Sequence, residues 1–380
     1  MSGSGLRRGV DWASRYSTRR RLLEPVTEHD TAVAVLVGPQ GATRPAPQID
    51  SPGVASVVVP THNDGPNIGV LLARLLDEPE VGEVLVVASA CDDETVPTVL
   101  EVAERSGGRV RLYVEAERSG KAAAVNFGLG EVTLPFAVIV SGDVLPEPGA
   151  MAHLVKALRA PGVGLAGGRP VPVNPPDSAI GHAVHLMWRL HHRLALHQPK
   201  LGEMLALRTE AIVTLPRTSV DEACFQALLE TTGWRSAYVP QAVVSNRGPN
   251  SKKDFLKQRR QIHAGHLWLR YRQQYTVPSL RPTLLVLEIW NDVRTEPEGT
   301  SPRRLAWTAG AVAMEAYARA RARLDYMQGR ENHVWDMVAS TKAPPLDTDG
   351  VLAGRGELLE GPRLAPPAAR QRHDQYQFQV

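Results

Sequence analysis

The chain has 380 residues, 43% of them hydrophobic, enough for one large α/β domain with appendages or for two modest domains. Its 43 basic and 40 acidic residues leave a formal charge of +3, a balance that argues against a nucleic-acid binder. Two cysteines, Cys91 and Cys224, are too few for a disulfide framework or a cysteine zinc site, so a reducing cytoplasm is expected.

Residues 1–50 gather Arg7, Arg8, Arg15, Arg19, Arg20 and Arg21 around Trp12 and Tyr16. Such a mixture suits either the surface of an anionic membrane or a solvated, partly disordered tail. It lacks the apolar core of a secretion signal, and no apolar run in the chain reaches the length needed to span a bilayer.

From residue 55 onward strand and helix signals alternate. An apolar strand at 56–60 runs into Thr61-His62-Asn63-Asp64-Gly65-Pro66 and a periodic helix at 67–76. A strand at 83–88 opens into the acids and hydroxyls of 89–95, which cap a helix running to 105. A third strand, 109–115, leads to Arg118-Ser119-Gly120-Lys121 and a helix from 122. The fourth, 137–140, stops abruptly at Ser141-Gly142-Asp143, and 163–166 gives a fifth. The alternation predicts an α/β, doubly wound, mostly parallel sheet flanked by helices. Ligands of open α/β sheets gather beyond the carboxyl ends of the strands, so Asp143 is expected to meet a metal or a phosphate. Further helices are expected at 252–269, 283–290 and 305–324, and a Pro/Gly/Arg-rich disordered tail from 343.

Four segments, in order, carry a resemblance: Val57-Val58-Val59-Pro60-Thr61-His62-Asn63, the 89–95 loop, Gly120-Lys121 with Asn126, and Ser141-Gly142-Asp143 before Val144-Leu145-Pro146. Together they resemble the family 2 glycosyltransferases of the GT-A fold. The resemblance implies transfer of a sugar from a nucleotide donor with inversion, a UDP-sugar ahead of a GDP-sugar, and a divalent cation, Mn²⁺ or Mg²⁺. It divides the chain into a basic segment (1–50), a GT-A domain (51–270, with a donor half 51–170 and an acceptor half 171–270), a helical extension (271–342) and a tail (343–380).

Carried over residue by residue, the resemblance puts Pro60, Thr61, Asn63 and Asp93 around the base and ribose, and Lys121 near the base or phosphate. Helix capping is the competing role for Asp93, and a surface cation for Lys121. Ser141 stands where the family's Asp-x-Asp has its first acid, leaving Ser141, Gly142 and Asp143 at the diphosphate with Asp143 as the one carboxylate. His263 or His266 is expected to complete the metal shell, against a competing role in packing. The base is expected in Thr218-Ser219-Val220-Asp221-Glu222, where either Asp221 or Glu222 fits and helix-dipole stabilisation alone is the alternative. Arg259 and Arg260 are expected to steady the departing diphosphate. Trp188, Lys200, Gly202 and Glu203 are the acceptor candidates.

Processive members carry Gln-x-x-Arg-Trp where this chain has Gln258-Arg259-Arg260-Gln261-Ile262, so a non-processive enzyme is expected. A nucleotidylyltransferase is excluded because Thr61-His62-Asn63-Asp64-Gly65 is no glycine-rich loop. A nucleotide-sugar-binding scaffold without turnover remains the alternative. Expected partners are the donor, an acceptor glycan, lipid phosphate or small metabolite, a membrane surface touched peripherally, and a second copy of the chain. Nucleic acid is not among them.

Overall fold

Strand β2 (Ala55–Thr61) is buried along its whole length, as a β-branched run must be when helices cover both faces of a sheet. The computed structural model describes residues 33–37 as backbone, and 52–296, 299–330 and 341–342 in full. Apart from 33–37, the basic segment 1–50 lies outside these residues, as does the tail 343–380.

The other strands are β1 (Val33–Val37), β3 (Val81–Ser89), β4 (Val110–Glu115), β5 (Phe136–Val140), β6 (Val144–Pro146), β7 (Val163–Pro172), β8 (Met204–Arg208) and β9 (Arg235–Asn246). The helices are α1 (Gly65–Asp77), α2 (Thr95–Arg105), α3 (Lys121–Gly130), α4 (Ala150–Leu158), α5 (Ala179–His197), α6 (Asp221–Thr231), α7 (Lys252–Arg272), α8 (Pro282–Thr295) and α9 (Pro302–Met327). The strands form one sheet in the order β1-β4-β3-β2-β5-β8-β7-β9-β6.

Side-chain alternation splits the core in two. Val57, Val59, Val84, Val86, Val138 and Val140 join one cluster with Ile68, Leu71 and Leu72 of α1. Val58, Leu85, Val87, Ala137 and Ile139 join the other with Val125 and Leu129 of α3 and Phe225 of α6. Apolar runs without polar alternation therefore feed both faces at once.

The expectation of a mostly parallel sheet needs correcting to a mixed one. The donor half is parallel, with β4, β3, β2 and β5 side by side. Beyond β5 the direction reverses: β5 pairs antiparallel with β8, β8 with β7, and β6 with β9, while β7 and β9 run parallel. At the opposite edge β1 lies antiparallel to β4, inside the segment expected as a basic tail, where Val33-Ala34-Val35-Leu36-Val37 forms an apolar run. Strand β9 contains Pro240, which argues against a strand in sequence. The structure places that proline where the β7–β9 register slips between Gly167 and Arg169.

The two cysteines are free and buried. Burial pushes the Cys91 thiol up to about 11 and the Cys224 thiol up to about 12. Neither is expected to react with a thiol reagent in the folded protein, whereas both should react after unfolding. Fast native labelling would refute this placement. Among the described residues no helix is long and apolar enough to cross a membrane.

Candidate active site

The loop after β2 is braced from both sides. Asp93 accepts from the Gly65 N–H at 2.9 Å, from the Thr95 N–H at 3.0 Å and from Thr95 Oγ1 at 2.6 Å, so it ties the start of α1 to the start of α2. Asn63, at φ 56°, exchanges two bonds with Asp92. Pro60 and Thr61 line the large cavity beyond the strand ends. Asn63 and Asp93 instead support its wall.

Asp64 is 1% exposed, and its Oδ2 accepts from Thr61 Oγ1 at 2.8 Å and from the His62 N–H at 3.2 Å. Ser141, Gly142 and Asp143 reach the same cavity from the end of β5. Glycine is required between the other two, because a Cβ at Gly142 falls 2.5 Å from Asp64 Oδ2 and 2.7 Å from Thr61 Oγ1. Gly142→Ala is expected to destabilise the fold by about 1–3 kcal/mol through this overpacking. A melting curve checks the loss, and an unchanged midpoint refutes it.

Lys342 Nζ sits 2.6 Å from Asp64 Oδ1 and 3.2 Å from Asp143 Oδ2. Burial, then the neighbouring Asp143, raise the Asp64 carboxyl, and Lys342 opposes them. Burial alone lowers the Lys342 ammonium, but the two carboxylates outweigh it and the net direction is up.

Across the cavity, Gly120 adopts φ 97° to start α3, and Lys121 follows it. Lys121 Nζ lies 2.9 Å from Asp221 Oδ2 and donates to Glu222 Oε1 at 3.2 Å, both acids standing in the first turn of α6. That position favours anions through the exposed N–H groups of the helix end. Burial and then Glu222 push Asp221 up to about 6, against Lys121. For Glu222 burial also pushes upward, but Lys121 and a backbone bond reverse it and the net direction is down. Asn126 of α3 donates to the Leu215 carbonyl and accepts from the Leu215 N–H, each at 2.8 Å.

The acceptor candidates Trp188, Lys200, Gly202 and Glu203 all line the cavity. Glu203 sits at φ 61°, a strained backbone for a non-glycine residue, and accepts from Asn246 Nδ2 at 3.1 Å. Burial, Glu222 and Asp143 push its carboxyl up to about 7. Burial and Arg259 bring Lys200 down to about 7. Trp188 packs edge-on to His191, with ring centroids 5.2 Å apart.

The remaining candidates divide. Arg259 lines the cavity but is already bidentate to Glu315, at 2.8 and 2.9 Å. Arg260 pairs with Asp325 and opens onto a separate depression. His263 bonds Glu315 at 2.7 Å, and His266 is buried beside it. The sequence leads one to expect Asp143 joined by His263 or His266, but among the described residues no group of three His, Cys, Asp or Glu stands together to hold a metal. His263 turns toward α9, where Glu315 binds it, whereas His266 lines the cavity. Two charged residues at the cavity escaped the sequence reading. Asp64 reads there as a cap residue of the loop, and Lys342 carries no local signal beside a Pro-rich tail.

With 76% of this chain and 92% of the other covered, the structure is similar at TM-score 0.54 and 22% identity to the mannosyltransferase PcManGT from Pyrobaculum calidifontis in complex with GDP-Man and Mn²⁺. Glucosyl-3-phosphoglycerate synthase from Mycobacterium tuberculosis, in complex with Mn²⁺, UDP-Glc and phosphoglyceric acid, is similar at TM-score 0.42 and 22% identity over 62% of this chain and 86% of that one. No curated protein sequence matches the chain. The fold is that of the GT-A glycosyltransferases. Residues 56–218 match the model of glycosyl transferase family 2, and the chain that carries this domain is a glycosyltransferase.

The family implies a divalent cation, and the residues present fit one. Asp64 and Asp143 aim carboxylate oxygens at a single positive charge, the Lys342 ammonium, and Ser141 adds a hydroxyl to the same cavity. These are the hard oxygen donors that Mg²⁺ and Mn²⁺ take.

Proposed function

We propose that the chain is an inverting, non-processive transferase that moves a sugar from a nucleoside diphosphate sugar, with uridine as the nucleoside, to an acceptor hydroxyl or phosphate. The observation that carries this reading is one cavity of about 530 Å³ lined by Lys121, Asp143, Glu203, Asp221, Glu222 and Arg259. Carboxylates of different proton affinity meet there across from a strand-tip aspartate.

Glu222, held anionic by Lys121, is the stronger candidate for the general base, while Asp221 retains its proton up to about pH 6. The base takes the acceptor proton as the acceptor oxygen bonds the anomeric carbon from the face opposite the leaving group. The bond from that carbon to the diphosphate breaks and its electron pair leaves on the phosphate oxygen. Asp143, with the donor phosphates, would hold a divalent cation, which supplies charge neutralisation for the departing diphosphate. Trp188 and Gly202 border the acceptor side, and Glu203 and Lys200 titrate near neutrality there to orient the incoming group.

Calorimetry of UDP-glucose and GDP-mannose binding, with and without Mn²⁺, followed by donor hydrolysis, tests the reading. The guanosine donor is included because PcManGT was determined with GDP-Man. UDP-glucose is expected to bind more tightly with Mn²⁺ and to be hydrolysed slowly. Binding without turnover, unaffected by Asp221→Ala with Glu222→Ala, would establish a scaffold instead.

A further inference from the structure

Lys342 is separated from Asp64 by 278 positions, yet its side chain reaches the end of β2. Its main chain is held as well, since Asn67 Nδ2 of α1 donates to the Lys342 carbonyl at 3.0 Å. The side chain is 22% exposed, against 1% for Asp64 and 25% for Asp143. Asp64 Oδ2 is occupied by Thr61 and His62, which leaves Oδ1 for the cation.

Two carboxylates that share one counter-ion repel each other once it departs, so the vacancy calls for another positive charge. Charge decides what the cavity then accepts. Two carboxylates and one ammonium leave a net negative charge facing an incoming diphosphate, whereas two carboxylates and a divalent ion are neutral. Both positive species want the same two oxygens, and metal–oxygen bonds of about 2.1 Å leave no room for an ammonium between them.

We propose that Asp64 and Asp143 together form the divalent-cation site of this enzyme, and that Lys342 is its built-in competitor, which must withdraw before Mn²⁺ or Mg²⁺ binds. The proposal rests on the cation-assisted donor reading above and deepens it. It assigns a ligand, Asp64, outside the Ser-Gly-Asp segment, and it gives Lys342 a place at the donor site. Loss of the first acid from that segment is offset by an acid from the neighbouring strand end.

The test is Mn²⁺ titration of the full chain without nucleotide, reading free Mn²⁺ by electron paramagnetic resonance. Lys342→Ala is expected to tighten Mn²⁺ binding at least tenfold over the wild type, and Lys342→Arg, which keeps the charge, to stay close to it. Asp64→Asn added to Lys342→Ala should lose most of the gain. Asp143→Asn in the same background serves where the Asp64 variant does not fold. As a second readout, Mn²⁺ should accelerate tryptic cleavage after Lys342 in the wild type several-fold by freeing its side chain. Equal Mn²⁺ affinity of wild type and Lys342→Ala, or full affinity retained without Asp64, overturns the proposal. UDP-glucose titrated into the same samples separates the two failures. If the donor still binds with Mn²⁺, only the assignment of Lys342 and Asp64 falls; if neither donor nor Mn²⁺ binds any variant, the donor reading falls with it.

Discussion

Replacing Asp221 and Glu222 together by alanine is expected to slow sugar transfer at least about a hundredfold, the lower end of what a positioned general base contributes. Donor binding should be nearly unchanged, because Asp143, placed at the donor phosphates, lies at the β5 end of the cavity while both acids belong to α6. The single variants are expected to differ. Glu222→Gln should lose most of the rate, since Lys121 holds that carboxyl in its ionised form, and Asp221→Asn should lose less. The pH profile carries the same information. The base works only when deprotonated, so with Glu222 held ionised below its ordinary range kcat/KM should already be level at pH 5, and a rise with pH through about 6 would move the role to Asp221. A double variant within a few-fold of wild type would remove α6 from the chemistry.

Lys121→Met is the second large effect. The substitution keeps an apolar stem but leaves two adjoining acids without their cation. Breaking a fully buried pair costs roughly 3–5 kcal/mol; with 32% of the Lys121 side chain exposed, about 2–3 kcal/mol is the appropriate discount. The acid limb of the activity profile should move to higher pH, since Lys121 is what draws both carboxyls down.

The dependence of stability on pH follows from the signs. Glu222 is lowered in the fold, so its contribution is present above its unfolded value and is lost as pH falls through the lowered one. Asp221 is raised, so the fold holds a proton there that the unfolded chain releases. Its contribution therefore wanes as pH climbs from the unfolded value of about 3.9 toward 6. Lys121 is raised, and its contribution is lost only at strongly alkaline pH. In Lys121→Met the Glu222 contribution disappears, so the variant should be less sensitive to acid than the wild type even though it is weaker at neutrality. Urea unfolding at pH 5 and pH 8 measures both.

The parts of the fold that could be read in advance are those whose physics is local. Val57, Val58 and Val59 announce a strand buried on both faces, and the sudden stop at Ser141-Gly142-Asp143 announces a strand tip. Asp221 and Glu222 follow hydroxyls at a helix start, and the structure brings both to Lys121, Glu222 across 101 positions. What escaped depends on distant partners. Pro240 survives in β9 because the register slips beside it. His263 and His266 have the spacing of ligands, but Glu315 of α9 settles the direction of His263. Asp93 has the chemistry of a ribose contact, yet three donors from two helix starts occupy its oxygens.

The paired bonds between Asn126 and Leu215 have a mechanical consequence. A single amide side chain there acts as a rung between α3 and the approach to α6, and sliding either past the other breaks both bonds at once. The ammonium of Lys121 and the acids it serves therefore travel as one block. Any widening of the cleft to admit a bulky donor has to come from the opposite jaw, where one lysine latch holds two aspartates.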